Sequence, residues 1–119
     1  MLYRNEKEIK TSDRGWFALA RQITIEYYHC DERRLLDKHY IEKAMLTAAE
    51  ESGATIVSSS FSSFEPQGVS GVVIIAESHF TVHAWPEHNY AADYKFTCGD
   101  IDLDRSVDSL HKALGAHRT

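Results

Sequence analysis

The sequence predicts an α+β fold, a two-layer sandwich in which a mainly antiparallel sheet carries helices on one face. Segments with the alternation and β-branched content of strands outnumber helical segments, and their order is strand, helix, three or four strands, helix. Strands that follow one another directly tend to pair antiparallel, so the helices are left to cover one face of the sheet.

The first half of the chain contains two predicted strands and one predicted helix. Residues 19–28 (LARQITIEYY) alternate as a strand does, and a polar connection with a short helical turn begins at Asp31. Residues 39–52 place apolar side chains at helical spacing, and Gly53 stands where a helix C-cap belongs. Residues 54–61 (ATIVSSSF) form the next predicted strand.

The second half contains three predicted strands and a final helix. Residues 71–76 (GVVIIA) are a continuous apolar run, which is typical of a central strand. Residues 78–85 predict a strand that ends at Pro86, and residues 90–98 predict another. Residues 104–114 predict an amphipathic helix with one apolar stripe.

Composition and charge limit the classes of function. The chain has 119 residues, of which 43% are hydrophobic and 26% are charged, the balance of one globular domain. A net charge of −5, without a basic block, argues against nucleic acids and anionic membranes as partners. Residues 1–15 are polar and predict a mobile N-terminal extension to a single domain at residues 16–119. The two cysteines, without a signal peptide, indicate a reduced, cytoplasmic protein.

Residues 76–87, AESHFTVHAWPE, concentrate reactive side chains on a predicted strand. Ordinary strand residues without a chemical role are one interpretation of Ser78, His79 and His83. A zinc site is disfavoured, because histidines four residues apart on a strand lie about 13 Å apart. A serine hydrolase is also disfavoured, because no G-x-S-x-G turn surrounds Ser78.

A longer set of motifs resembles a known family. Residues 68–100, GVSGVVIIAESHFTVHAWPEHNYAADYKFTCGD, contain G-V-S-G-V, E-S-H, a histidine five residues after that serine, W-P-E and T-C-G. These motifs have the spacing found in the bacterial and archaeal S-adenosylmethionine decarboxylases. The resemblance covers roughly residues 19–115, since it also includes ESGATIVSSSF and LARQITIEYYHCD.

The resemblance implies a self-processing enzyme with a pyruvoyl cofactor. In this family the serine hydroxyl attacks the preceding carbonyl, here that of Glu77, and elimination and hydrolysis then release ammonia. Ser78 would become the covalent pyruvoyl group, leaving a β chain of residues 1–77 and an α chain of residues 78–119. That group would form a Schiff base with the substrate amine and accept electrons during decarboxylation, as pyridoxal phosphate does elsewhere. The product would be the aminopropyl donor for spermidine in polyamine biosynthesis.

The resemblance also assigns roles in processing and in proton transfer. His83 matches the histidine that accepts a proton during processing, a task suited to a group that titrates near neutrality. Ser70 matches a serine that hydrogen-bonds near the processing site. Cys98 matches the proton donor to the substrate α-carbon after CO₂ has left, and it must be a thiol to do so. No metal is expected.

Three other residues match the family's substrate-binding positions. Phe64 and Trp85 lie where the family places aromatic residues around the adenine, on which a flat π-system stacks well. Glu87 matches the acid that accepts hydrogen bonds from the ribose hydroxyls.

The spacing of Ser78 and His83 raises a geometric difficulty. Residues five apart lie on opposite faces of a regular strand. The implied mechanism therefore requires a bend, a bulge or a chain break near residues 77–79, where strain would also assist the acyl shift.

Several departures from the family leave the substrate open. Relatives commonly have Y-A-A-[VI]-D-[VI]-F-T-C, whereas this chain has YAADYKFTC at residues 90–98. The aspartate moves by one residue to Asp93, and Lys95 replaces an apolar residue. Residues 20–22 (ARQ) stand for G-R-H, and Asn89 stands for glycine. Proteins related to this family decarboxylate ornithine or arginine, and Asp93 is a candidate acid for the distal cation of such a substrate.

Assembly and a non-enzymatic role are the remaining expectations. The resemblance implies a homodimer of cleaved protomers, with two α and two β chains. The alternative from another functional class is a non-catalytic paralogue that regulates an active enzyme. Such a binding module needs none of Ser78, His83 and Cys98. Relatives usually continue with another strand after the last helix, which this sequence lacks.

Overall fold

The computed structural model describes residues 2–10, 18–64, 67–98 and 100–116. Within these residues, six strands form one antiparallel sheet in the order β1-β2-β6-β5-β4-β3. The elements in chain order are β1 (Leu2–Lys10), β2 (Ala18–Tyr27), α1 (Glu32–Leu36), α2 (Lys38–Glu51), β3 (Ile56–Ser63), β4 (Val69–Ile75), β5 (Ser78–Trp85), a 3₁₀ turn (Pro86–His88), β6 (Tyr90–Thr97) and α3 (Leu103–Ala113). The predicted α+β class is confirmed, and each predicted strand and helix occurs with ends within two residues of the expected ones.

Alternation along the strands creates two different faces of the sheet. On β5 the side chains of Phe80, Val82 and Ala84 are buried, and those of His83 and Trp85 are exposed. The buried set packs into the core with α2 and α3, so we call this side the helix-covered face. The other side, which carries Ser70, Ile74, His79, His83 and Trp85, is the open face.

The helices begin and end at residues that favour helix termini. The side chain of Asp37 accepts a hydrogen bond from the Tyr40 N–H at 3.1 Å at the start of α2, and Asp102 accepts one from Arg105 at the start of α3. Gly53 follows α2 with a φ of +85°, a conformation that glycine adopts without strain. No helix among the described residues is long and apolar enough to cross a membrane.

The N-terminal segment departs from its prediction. Residues 1–15 were expected to be a mobile extension, whereas Leu2–Lys10 forms the edge strand β1 and pairs antiparallel with β2, from Leu2↔Tyr27 to Lys10↔Ala18. Arg4 also forms ion pairs with Glu6 and with Asp104 in the first turn of α3. Residues 11–15 lie outside the described part of the chain.

Candidate active site

The turn between β4 and β5 presents the serine singled out by the sequence. Ala76 and Glu77 form this turn, and Ser78 begins β5 with a φ of +136°. A positive φ is unfavourable for a residue with a side chain, and such strain persists only where the surrounding structure imposes it. The strain therefore lies at the serine whose N-terminal peptide bond is the expected cleavage site.

Cys98 holds the carbonyl of that peptide bond. The Glu77 oxygen accepts a hydrogen bond from the backbone N–H of Cys98 at 2.9 Å and one from its thiol at 3.4 Å. Two donors on one carbonyl oxygen polarise the carbon and stabilise the negative charge that develops when a nucleophile adds to it. Cys98, directly after β6, is thus positioned as an oxyanion site would be for an attack on Glu77.

The side chain of Glu77 ties this turn to the start of β3. Its Oε1 accepts a hydrogen bond from the Thr55 N–H at 3.1 Å, and the Thr55 carbonyl accepts one from Ala76 at 2.8 Å. These contacts hold the turn in place on the side opposite Cys98. The conformation of the scissile peptide is therefore braced by two different strands.

His79 lies next to the Ser78 hydroxyl. Its Nδ1 is 3.2 Å from Ser78 Oγ. The imidazole stacks on the ring of Phe96, with centroids 6.0 Å apart and an interplanar angle of 8°, and it also contacts Tyr94. Sequence analysis gave this histidine no role.

A second polar pair lies nearer the middle of the open face. Ser70 on β4 and His83 on β5 are cross-strand partners, and Ser70 Oγ is 2.8 Å from His83 Nδ1. The His83 ring lies 6.1 Å from that of Trp85, which ends the same strand. The structure thus brings together two residues that are thirteen positions apart in the sequence.

Aromatic residues and one carboxylate extend this second pair into a cleft. The hydroxyls of Tyr28 and Tyr90 both donate hydrogen bonds to Glu26 Oε1, at 2.9 and 2.8 Å. Burial, followed by the Glu26 carboxylate, raises the pKa of Tyr90 to about 12. Tyr28, Trp85, His88 and Tyr90 line a cleft of about 380 Å³.

Sequence reasoning missed Glu26, Tyr28 and Tyr90 as parts of the site. Their membership of the site could have been predicted from the alternation of β2 and its register with β6, because these place all three side chains on the open face. That pattern becomes specific only when the order of the strands in the sheet is known.

The remaining predicted site residues are exposed after β3 and at the end of β5. Trp85 is 41% exposed, and Glu87 is exposed in the 3₁₀ turn that follows it directly. Phe64 comes just after β3 and is 53% exposed. All three therefore present surface to a ligand.

Within one protomer the predicted residues form two separate groups. Ser78 and Cys98 lie at one end of β5 and β6, and Ser70 and His83 lie further along β4 and β5. The register from Val69↔Ala84 to Ile75↔Ser78 is unbroken, so the bulge expected near residues 77–79 is absent from this ladder. Five residues of strand separate Ser78 from His83 by about 16 Å.

Comparisons with known proteins identify the family. A family model described as S-adenosylmethionine decarboxylase matches residues 21–119. The chain belongs to the S-adenosylmethionine decarboxylase family. It is 52% identical over 102 residues to the S-adenosylmethionine decarboxylase proenzyme of Thermotoga petrophila, an alignment covering 85% of this chain and 78% of that protein. It is 48% identical over 101 residues to the proenzyme of Pseudomonas aeruginosa, covering 84% of this chain and 63% of that protein.

A solved structure of the same family has the same fold. The crystal structure of the adenosylmethionine decarboxylase from Aquifex aeolicus aligns with a TM-score of 0.77 at 32% identity, covering 84% of this chain and 83% of that one. Strand β1 lies outside the part of the chain that the family model matches.

The residues of this decarboxylase fit the covalent pyruvoyl cofactor of the family. The group forms from a serine whose preceding carbonyl is attacked, and Ser78 follows the one carbonyl that Cys98 holds with two donors. Among the described residues, no group of three or more His, Cys, Asp or Glu side chains is arranged to hold a metal ion.

Asp93 does not lie where the ornithine or arginine alternative requires an acid. It is fully buried on the helix-covered face, the opposite side from Ser70 and His83, and its Oδ2 is 2.7 Å from Lys95 Nζ. Burial raises the pKa of Asp93 and lowers the pKa of Lys95, and the close contact between them opposes both shifts. The idea that Asp93 contacts substrate is therefore wrong. Moving the aspartate by one residue turned it from the open face into the core.

Proposed function

We propose that this chain is a proenzyme that cleaves itself between Glu77 and Ser78 and then decarboxylates S-adenosylmethionine. The observation that carries the proposal is the geometry of the scissile peptide. Ser78 is strained, and Cys98 donates two hydrogen bonds to the carbonyl that the Ser78 hydroxyl must attack. Together these features suit acyl transfer from the Glu77 carbonyl to the Ser78 hydroxyl.

Processing consists of an acyl shift, an elimination and a hydrolysis. Ser78 Oγ adds to the Glu77 carbonyl carbon, and the C–N bond breaks to leave an ester and a free Ser78 amine. Loss of the Ser78 α-proton then expels the Glu77 carboxylate and leaves a dehydroalanine. This tautomerises to an imine, and water converts it to the ketone with release of ammonia. The α-proton needs a base, which we assign to His83, with Ser70 orienting the imidazole through the 2.8 Å contact.

A second copy of the chain supplies that base. His83 is about 16 Å along β5 from Ser78, too far for proton transfer within one protomer. In the part of the chain that the structure describes, no helix covers the apolar side chains of the open face: Ile74 and Trp85 are exposed, and Tyr94 and Phe96 are half-buried. Two sheets packed face to face lie about 10 Å apart, so side chains from opposite sheets can meet. A two-fold dimer through this face would place His83 of the partner subunit beside Ser78.

The decarboxylation site then forms around the new N-terminus of the α chain. The pyruvoyl carbonyl supplies the electrophile and the electron sink that loss of CO₂ from an amino acid requires. Cys98, already beside Ser78, is placed to donate a proton to the substrate α-carbon. Trp85 and Glu87 lie beyond His83 at the far end of β5, so in the proposed dimer the partner subunit presents these side chains. Trp85 and Phe64 would offer exposed aromatic surface to the adenine, and Glu87 a carboxylate to the ribose hydroxyls.

The substrate assignment follows the family and the position of Asp93. A substrate with a distal cation needs an acid in its pocket, and the acid suggested by the sequence lies on the wrong face. S-adenosylmethionine therefore remains the substrate that the family supports. The cytoplasmic location expected from the cysteines stays a prediction.

The denaturing intact mass of the purified protein tests processing. We expect two fragments split between Glu77 and Ser78, the C-terminal one carrying the mass of a pyruvoyl terminus, whereas Ser78→Ala should stay whole. A single species near 13.6 kDa for the natural sequence would instead indicate the non-catalytic paralogue.

Separate assays of CO₂ release from S-adenosylmethionine, ornithine and arginine test the substrate. Release from either of the last two alone would contradict the assignment.

A further inference from the structure

We propose that His79 is the base that accepts the Ser78 hydroxyl proton in the first step of processing. The inference rests on the self-cleavage proposed above and adds a residue that acts before His83. The observation that carries it is the distance of 3.2 Å between Ser78 Oγ and His79 Nδ1. A general base must lie within hydrogen-bond reach of the proton that it removes. Among the described residues, His79 Nδ1 is the nitrogen that lies within this reach of the Ser78 hydroxyl.

The position of the imidazole is set by its aromatic neighbours. His79 lies almost parallel to Phe96, its cross-strand partner on β6, and its ring also contacts Tyr94. These contacts hold the ring plane, and the one-residue offset from Ser78 brings Nδ1 rather than Nε2 to the hydroxyl. Neutral imidazole with its proton on Nε2 leaves Nδ1 free to accept.

The acyl shift uses three groups of this chain, the Ser78 hydroxyl, the His79 imidazole and the two donors of Cys98, and every proton is accounted for. The Ser78 oxygen forms a bond to the Glu77 carbonyl carbon as its proton passes to His79 Nδ1. The negative charge on the Glu77 oxygen is held by the N–H and the thiol of Cys98. The Glu77–Ser78 C–N bond then breaks, and the leaving nitrogen takes the proton back from the imidazolium. The net result is an ester and an amine, with His79 neutral again.

Both the distance of His83 from Ser78 and its hydrogen-bond partner make it unsuited to this step. It lies about 16 Å away along the same strand, and its Nδ1 faces Ser70. The two histidines therefore divide the work. His79 acts in the acyl shift within its own protomer, and His83 acts in the elimination that follows.

Hydroxylamine separates the two steps. It cleaves a Glu77–Ser78 ester and leaves the amide intact, so it reveals whether the acyl shift has taken place. We would compare cleavage of freshly made precursor with and without hydroxylamine for the natural sequence, His79→Gln and His79→Phe. His79→Phe keeps an aromatic ring on Phe96 and so tests the proton transfer with the packing preserved. His39→Gln, an exposed histidine on α2, is the matched control.

We expect both His79 variants to process about 10²–10⁴-fold more slowly, the usual contribution of a general base. Their precursors should resist hydroxylamine, and imidazole added to His79→Ala should restore part of the rate. His39→Gln should be cleaved as fast as the natural sequence. Thermal melting monitored by circular dichroism checks that each precursor is folded.

Two results would overturn the assignment of His79. One is cleavage of folded His79→Phe and His79→Gln at the natural rate. The other is a stalled variant that hydroxylamine cleaves, because the acyl shift would then have occurred without the imidazole. Failure of the natural sequence itself to cleave would be a different outcome, since it would contradict the self-processing on which the inference rests.

Discussion

Ser78 is a residue whose conformation and neighbours suit the proposed cleavage. In that reaction its positive φ would destabilise the amide form of the Glu77–Ser78 link, and Cys98 would stabilise the charge on the Glu77 oxygen. The family sequence E-S-H therefore has a physical meaning at each position. In the proposed cleavage it supplies the carbonyl that is attacked, the nucleophile and the base.

Cys98 has two proposed roles that a single substitution affects unequally. In Cys98→Ala the backbone N–H still binds the Glu77 oxygen but the thiol donor is lost, so precursor cleavage should slow and still go to completion. Loss of the thiol removes the proposed proton donor, and we expect decarboxylation to fall by about 10²–10⁴-fold. Mass spectrometry would measure the cleavage, and trapped CO₂ and product analysis would measure the turnover.

Cys30 provides the control for that experiment. It is 3% exposed, and burial raises the pKa of its thiol to about 11. Cys30→Ala should lower the free energy of unfolding by about 1 kcal/mol, the usual size for a single substitution, without changing turnover per folded site. Natural turnover in Cys98→Ala would contradict its assignment as the proton donor.

Asp93 and Lys95 form a buried ion pair where relatives have apolar residues. The Lys95 ammonium also lies 4.1 Å above the Phe80 ring, and Asp93 Oδ2 accepts a hydrogen bond from Tyr27. Lys95→Met would leave the Asp93 carboxylate buried without its countercharge. We expect a loss of about 3–5 kcal/mol in the free energy of unfolding, measured by urea denaturation.

The double variant Asp93→Val with Lys95→Val tests the same ion pair by removing both charges together. Replacing both charges with apolar residues is often neutral or stabilising by about 1–4 kcal/mol. We expect this variant to be at least as stable as the natural sequence and to process normally. A double variant as unstable as Lys95→Met would mean that the charges stabilise the fold through groups besides each other.

At the scale of elements, the close packing of β3 against β4 depends on a glycine. Gly71 and Phe61 are cross-strand partners, and a Cβ on residue 71 would overlap the Phe61 ring. Gly71→Ala should therefore displace this ring and lower the free energy of unfolding by about 1–3 kcal/mol. In a Phe61→Leu background the same change should cost less. Equal costs in the two backgrounds, measured by a double-mutant cycle, would show that the ring is not the obstacle.

Strand β1 shows why an edge strand is difficult to predict from the sequence. It pairs with β2 alone, and its polar composition lacks the alternation of a strand packed on a core. Polar residues are what protects an exposed sheet edge, so the same composition is typical of an edge strand and of an extension without structure. Only the ladder with β2 distinguishes the two.

For the whole molecule, a processing site shared between two protomers predicts a result that a site within one protomer does not. In a mixed dimer of Ser78→Ala and His83→Ala chains, one of the two sites would combine an intact Ser78 with an intact His83 of the partner subunit. Neither variant alone should be fully processed. We expect the His83→Ala chain to be cleaved when it is coexpressed with Ser78→Ala, as measured by the mass of each tagged chain.

A matched control removes the complementing histidine. Pairing His83→Ala with a chain that carries both Ser78→Ala and His83→Ala leaves no His83 in the dimer, so the precursor should persist. If purified mixed dimers with one intact His83 also stayed uncleaved, the processing site would not span two protomers.

The residue pattern alone was sufficient for the fold class and for the strands β2 to β6, because these depend on local alternation. The chemistry expected of Ser78 comes from the family resemblance and stays a prediction. The sheet order decided the rest. It showed that Asp93 faces the core, that Glu26 joins Tyr28 and Tyr90, and that Ser78 lies far from His83 but beside Cys98. A strand's neighbours come from distant parts of the chain, and a shift of one residue exchanges its faces, so no local pattern specifies these contacts.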